Sequence, residues 1–319
     1  MTRLTVEADG VGCLVVRWQS VGEEYVDIAL GPTPEAMDHA HVLRVVASAQ
    51  SARLTGLPAG RHYVSLSDRG SAVVAAERRV SFEGVRNFRD LGGYPTASGG
   101  QTRWGQVFRS DSLHNLTPDD LAAFDGLGVR LIYDLRRDDE RERQPGPRPA
   151  LHLTLPSRRV GDDNPLTLRE RIEGERWLFE DYRGMLAGGG TVFGRLFSQL
   201  AQPDGVPAVF HCTGGKDRTG MAAALLLSWL GVDHETVLDD YELTNRYLCA
   251  NHVPEVVDLF VTGGIARPAA VAMLSAPRWA MAEALNVMDR VYGGIETYLR
   301  GPCGMTHRSL ELLRARLVA

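Results

Sequence analysis

A chain of 319 residues, 44% of them hydrophobic and with a formal net charge of −5, has room and composition for one large packed domain and a small one. That charge forecasts no strongly basic face, and binding to a nucleic-acid backbone needs clustered Lys and Arg, so nucleic acid is not an expected partner. No apolar stretch approaches the ~20 residues of a bilayer span, and the opening MTRLTVEADG has no hydrophobic signal core. The cysteines, Cys13, Cys212, Cys249 and Cys303, lie far apart without framework or metal-like spacing, which fits a reducing compartment. The cytoplasm is the default expectation, with secretion without a cleaved signal peptide left open. No feature of the sequence sets an oligomeric state.

Residues 1–80 are predicted to form a small all-β sandwich. Short β-prone runs at 4–6, 12–18, 25–30, 41–46 and 62–66 are separated by turn residues, the rhythm of antiparallel strands. Residues 57–63, LPAGRHY, resemble the tyrosine-corner segment of fibronectin type III domains, and Trp18 stands where their early core Trp would. The alternative is an irregular hairpin that extends the sheet of the following domain.

From residue 81 the pattern changes to strands alternating with helices, so 81–319 is expected to be an α/β domain with a central sheet flanked by helices. Apolar strands are predicted at 129–134 and 208–211, and ligands in such folds bind at the carboxyl ends of strands. The polar groups of NFRDLGG (87–93), VFRSDSL (107–113) and YDLR (133–136) read as partly buried ion-pair partners. The mixed-sign run 136–143 reads as a solvated helix start. Residues 232–290 are helical, rich in Ala and Met, and interrupted at Gly263, Gly264, Pro268 and Pro277. Their periodicity fits a helical lid or ordinary packing equally well.

Residues 211–220, HCTGGKDRTG, carry the chemistry. They follow an apolar strand and lead into an apolar helix, so Thr213, Gly214, Gly215 and Lys216 form a loop at a helix N-terminus, a ready cradle for an oxyanion. Cys212 at its mouth is expected to ionise well below an ordinary thiol and act as nucleophile. Arg218 would clamp phosphate oxygens with a geometry that Lys lacks. Thr219 would donate to the departing thiolate, and His211 would fix the loop from behind.

At these residues the chain resembles the protein tyrosine phosphatase superfamily, in its bacterial tyrosine and dual-specificity branch, which includes a secreted mycobacterial tyrosine phosphatase. The resemblance extends through NFRDLGG, VFRSDSL, YDLR, YELTNRYL (241–248) and YGGIETYLR (292–300), covering roughly residues 83–319. It implies a phosphatase-like central sheet, helices over the active site, and hydrolysis of phosphomonoesters through a phosphocysteine without cofactor or metal. No WPD-like tripeptide supplies the general acid. Related bacterial enzymes carry an Asp directly before the loop Arg, here Asp217; a second candidate is the Asp162–Asp163 pair. A carboxyl beside a phosphate dianion would have its pKa raised, as an acid requires. Lys216 would add a cation facing the substrate, as in lipid phosphatases of the superfamily. The expected substrate is phosphotyrosine in protein, with dual specificity or a phosphoinositide as alternatives. Two other readings are a non-catalytic phospho-recognition module and a sulfur-transfer or arsenate-reducing enzyme.

Overall fold

The computed structural model describes residues 4–19, 23–58, 60–67, 72–157, 174–249 and 253–319. Its N-terminal strands are β1 (Leu4–Ala8), β2 (Leu14–Trp18), β3 (Tyr25–Gly31), β4 (Leu43–Val46), β5 (Ser51–Leu54), β6 (Tyr63–Ser67) and β7 (Ala72–Ala76). They pair antiparallel into two sheets, β1-β2-β5 and β4-β3-β6-β7, rather than extending the sheet that follows. Period-two alternation turns Leu14, Val16, Trp18, Val26, Ile28, Val64 and Leu66 into the space between them. The Trp18 indole donates to the Ala47 carbonyl at 3.0 Å, so its polar atom costs nothing on burial. β5 and β7 were not expected from the sequence. SARL and AVVAA are short, and their strand state comes from their neighbours.

Trp104, from the next region, enters this core. Its indole donates to the Val74 carbonyl at 3.0 Å, and Tyr63 meets it edge-on at 6.4 Å. Arg61 pairs with buried Asp90 at 2.7 Å across the same junction.

The second sheet runs β11-β10-β12-β9-β8, formed by β8 (Arg89–Asp90), β9 (Val107–Ser110), β10 (Leu131–Asp134), β11 (Leu151–His152) and β12 (Ala208–His211). All are parallel except β8, which runs antiparallel to β9. β12 is central and buried on both faces, which is why its sequence is an unbroken apolar run ending in His211. Helices cover the sheet: α1 (Pro118–Gly126), α2 (Asp138–Arg143), α3 (Gly174–Gly188), α4 (Gly190–Leu200), α5 (Asp217–Trp229), α6 (His234–Thr244), α7 (Val253–Thr262), α8 (Arg267–Leu274), α9 (Arg278–Tyr292), α10 (Ile295–Arg300) and α11 (His307–Leu317). α5 is apolar all round because it is enclosed all round; Met221 through Leu227 are buried. In the stretch expected as lid or packing, Ala269, Ala270, Met273, Ala280, Met281 and Leu285 share one core with α5 and the sheet. No helix among the described residues is long and apolar enough to cross a membrane.

Candidate active site

Between β12 and α5 the chain turns through residues 212–216, and each peptide in that turn is aimed by a bond to its carbonyl. The His211 ring Nδ1 bonds the Cys212 carbonyl at 3.2 Å, and the Ser112 N–H bonds that of Thr213 at 2.9 Å. Asn87 Nδ2 donates to the carbonyls of Gly214 (3.0 Å) and Gly215 (3.3 Å), and Arg109 Nη2 donates to Gly215 at 2.8 Å. In a planar trans peptide the N–H points opposite its carbonyl. Tying the carbonyls of Cys212, Thr213, Gly214 and Gly215 to the scaffold therefore turns the N–H groups of Thr213, Gly214, Gly215 and Lys216 to the other side, an arrangement chemically able to receive an anion. Gly215 is required twice over: its φ is +65°, and a Cβ there would lie 2.4 Å from the Ser110 carbonyl oxygen. Gly214 has no such need, since a Cβ would meet only Leu248 Cδ2 at 3.5 Å.

The carbonyl of Cys212 can only accept, so His211 carries its hydrogen on Nδ1. Burial lowers His211 to about 4, with the attraction of Asp134 only partly opposing, so the ring is neutral near pH 7. His211 thus meets the loop at the Cys212 carbonyl as a neutral ring.

Beneath the loop lies a network of buried charge. Asp240 accepts from Arg89 Nε (3.1 Å), Arg109 Nη1 (2.6 Å) and the Tyr94 hydroxyl (2.8 Å), with both guanidinium groups fully buried. Burial would raise the Asp240 carboxyl, but the two arginines hold it well below the usual range. Burial and the charge of Arg89 push Arg109 down to about 10 against the pull of Asp240. Asn87, Arg89 and Arg109, expected to be partly buried, are fully enclosed, and Asn87 and Arg109 reach the loop directly.

Arg218, the second residue of α5, presents its end-on edge to Glu140, Nη1 to Oε2 at 2.6 Å and Nη2 to Oε1 at 2.9 Å. Glu140 also accepts from the Thr213 hydroxyl at 2.5 Å and from the Arg137 N–H at 2.9 Å, so donors surround its carboxylate. Burial would raise Glu140, but Arg218 and Thr213 outweigh it and hold it far below the carboxylate range. Burial likewise opposes the charge on Arg218, and Cys212 and Glu140 overcome it, so Arg218 stays raised. Glu140 leaves the Nε edge of the guanidinium for another anion. A largely solvated helix does start within 136–143, as expected, but Glu140 departs from that reading: α2 delivers it to the loop, its side chain reaching back to the N–H of Arg137 just before the helix.

Asp217, the first residue of α5, is about one-quarter exposed. Its Oδ1 accepts from the Tyr182 hydroxyl at 2.8 Å, and the Tyr241 hydroxyl lies 2.6 Å from Tyr182 Oη. Since Tyr182 gives its hydrogen to Asp217, Tyr241 donates to Tyr182. Lys216 departs from its expected place facing the substrate. Its ammonium donates to the carbonyls of Met273 (2.5 Å) and Ser275 (3.0 Å) and lies 3.1 Å from Asp217 Oδ1. Backbone carbonyls at the end of α8 outcompete the cradle for it. Thr219 Oγ1 is buried without a hydrogen-bond partner. Cys212 is 2% exposed at the head of the loop. Cys303 lies elsewhere in the core, its thiol pushed up to about 12 by burial. The Asp162–Asp163 pair falls outside the described residues.

The tyrosine phosphatase family model matches residues 80–319. The chain belongs to the tyrosine phosphatase family. Family membership makes it an enzyme acting on a phosphorylated substrate. A triple specificity protein phosphatase of Mycobacterium tuberculosis, PtpB, is 27% identical over 281 residues, covering 74% of this chain and 97% of its own. A protein of Cupriavidus necator provisionally named a tyrosine-protein phosphatase is 28% identical over 259 residues, covering 72% of this chain and 86% of its own. A tyrosine-protein phosphatase of Nostoc commune is 29% identical over 228 residues, covering 66% and 73% respectively. Among solved structures, the fn3 domain of human contactin 1 aligns over 25% of this chain and 77% of its own, at 18% identity and a TM-score of 0.20, too low to carry an argument. In this tyrosine phosphatase the site residues that sequence reasoning missed are Glu140 and Tyr182. The spacing of Arg137 and Glu140, an acidic side chain at the third helical position, was the available signal for the first. Tyr182 lies in an unremarkable amphipathic helix and gave none.

Proposed function

We propose that this enzyme hydrolyses protein phosphotyrosine through a phosphocysteine on Cys212, without metal or cofactor. The observation that carries the reading is the loop whose carbonyls are all tied outward. It supports a ring of N–H donors around the position a phosphoryl group would take, with Cys212 and the Nε edge of Arg218 alongside. Residues 81–319 form the catalytic domain in this reading, with 232–290 as its helical cover and 1–80 as an accessory domain.

Cys212 Sγ attacks phosphorus in line as the bond to the leaving oxygen breaks. The loop N–H groups and Arg218 hold the equatorial oxygens. Tyr182 and Lys216 both engage Oδ1 of Asp217, so Oδ2 is the atom that carries a proton to the leaving oxygen. Water then attacks the phosphocysteine while Asp217 takes back a proton. The sulfur leaves as thiolate, and Thr219 supplies the hydrogen bond its buried hydroxyl otherwise lacks.

The test is hydrolysis of a phosphotyrosine peptide, a phosphoserine peptide and an inositol phosphate headgroup with chelator present, in wild type, Cys212→Ser and Asp217→Asn. Metal-independent turnover of the tyrosine peptide is expected, abolished in Cys212→Ser and reduced ~10²-fold or more in Asp217→Asn. Turnover of the serine peptide would establish dual specificity, and preference for the headgroup would move the enzyme to phosphoinositides. Binding of phosphate without turnover of any substrate would leave a phospho-recognition module as the better account.

A further inference from the structure

We propose that Lys216 is a positioning residue that ties the helical cover to the acid Asp217, rather than a ligand of substrate phosphate. The inference rests on the reading of Asp217 as general acid. An ammonium has three hydrogens, and Lys216 faces three acceptors within reach: the Met273 and Ser275 carbonyls and Asp217 Oδ1. Its side chain is only 8% exposed, so bulk water is no competitor. Both carbonyls belong to the C-terminal end of α8, where a cation also meets the negative end of the helix dipole.

The turn that supplies these carbonyls is itself fixed. Asn245 donates through Nδ2 to the Ala276 carbonyl at 2.8 Å, and its Oδ1 accepts from the Ala276 N–H at 2.7 Å. The Ser275 segment is therefore set relative to α6, which also carries Tyr241 and Asp240. From the opposite side, Tyr182 grips the same oxygen of Asp217, with Tyr241 behind it. The carboxyl is thus oriented by two donors on Oδ1, one fastened to α3 and one to the cover. Redirecting Lys216 toward a second phosphate of a substrate would take its hydrogens from the Met273 and Ser275 carbonyls and from Asp217. The loop Lys therefore selects for a correctly seated acid and supplies no extra cation for polyphosphorylated headgroups.

The full-length chain is assayed as Lys216→Met and Lys216→Gln beside Asp217→Asn, on phenyl phosphate and on p-nitrophenyl phosphate, with inorganic phosphate as inhibitor. Gln keeps donors for the cover carbonyls, so that variant decides the matter if Met fails to fold. Phenoxide needs a proton to leave and p-nitrophenoxide scarcely does. The expected result is a loss of ~10- to 100-fold on phenyl phosphate, within ~3-fold of wild type on p-nitrophenyl phosphate, and an inhibition constant for phosphate unchanged within ~3-fold. Equal losses on both substrates, with phosphate binding weakened ~10-fold or more, would make Lys216 a phosphate ligand and overturn the proposal. Wild-type rates in both Lys216 variants alongside a leaving-group-dependent loss in Asp217→Asn would overturn it while leaving the acid in place. If Asp217→Asn itself shows no dependence on the leaving group, the acid reading fails first, and the positioning role fails with it.

Discussion

In the N-terminal sandwich the enclosed side chains are apolar almost throughout, with Val16, Val26, Ile28, Val64 and Leu66 between its sheets. Beneath the Cys212 loop the enclosed side chains are Arg89, Arg109, Asp240 and Asn87. Apolar burial is non-directional, and a core of that kind tolerates exchange as long as volume and pattern are kept. Buried ions are different. Their desolvation offsets much of their attraction, so they add little net stability, yet each fixes the direction of whatever it bonds. Here they fix the direction of the loop carbonyls, and so the cradle opposite them. The sandwich is built for cohesion and the loop floor for aim.

The largest effect expected from breaking that contrast is at the cradle itself. Arg218→Lys keeps a positive charge but loses the fork that holds Glu140 and, in the proposed mechanism, phosphate, and kcat/KM should fall ~10³-fold with little change in melting temperature. A loss under ~10-fold would mean that charge alone suffices there.

Next comes the floor. Asp240→Asn leaves Arg89 and Arg109 buried without a counter-charge, and urea unfolding should show a destabilisation of ~3–5 kcal/mol. The comparison sharpens if kcat also falls at temperatures where the variant remains folded, since Arg109 would no longer hold Gly215 in place.

A smaller effect follows from His211. Burial sets its folded value near 4, below the unfolded imidazole at about 6.5. Between these values the unfolded chain takes a proton that the folded chain refuses, so this contribution to stability is complete above about pH 6.5 and drains away as pH falls toward 4. His211→Asn, which keeps a donor for the Cys212 carbonyl, should lose less stability than wild type between pH 7 and pH 5 in urea titrations. Equal losses would place the acid sensitivity in other groups.

The smallest effect on activity belongs to the sandwich. Val16→Ala should lower stability by ~2 kcal/mol while kcat/KM stays within about twofold, because no polar contact to the loop depends on that side chain. A large fall in kcat would show that cohesion and aim are not separable.

Much of this contrast is legible in the sequence. The alternation in LVVRW and YVDIALG gives the sandwich strands, and HCTGGKDRTG gives the loop with Cys212 and Arg218 in their places. Strands β5 and β7 are hard to read, because SARL has no alternating apolar pattern and the two valines of AVVAA are flanked by alanines, which favour strand weakly. Glu140 escaped notice in a run of alternating charge, and only the fold carries it across 78 residues of sequence to Arg218. Tyr182 reaches Asp217 in the same way, across 35. A Lys in an anion loop reads as a substrate contact, and its turning away became visible only with the end of α8 beside it. Apart from His211, the residues that aim the loop are long-range partners, and spacing within a motif says nothing of them.

In the proposed mechanism the outward-tied loop presents a phosphoryl group to Cys212. Wild-type enzyme turning over a phosphotyrosine peptide, quenched in denaturant within milliseconds and mapped by mass spectrometry, tests it most directly. A phosphoryl adduct is expected on the peptide carrying Cys212, absent from Cys212→Ser. Full turnover with no adduct at Cys212, or with the phosphoryl group on another residue, would contradict it.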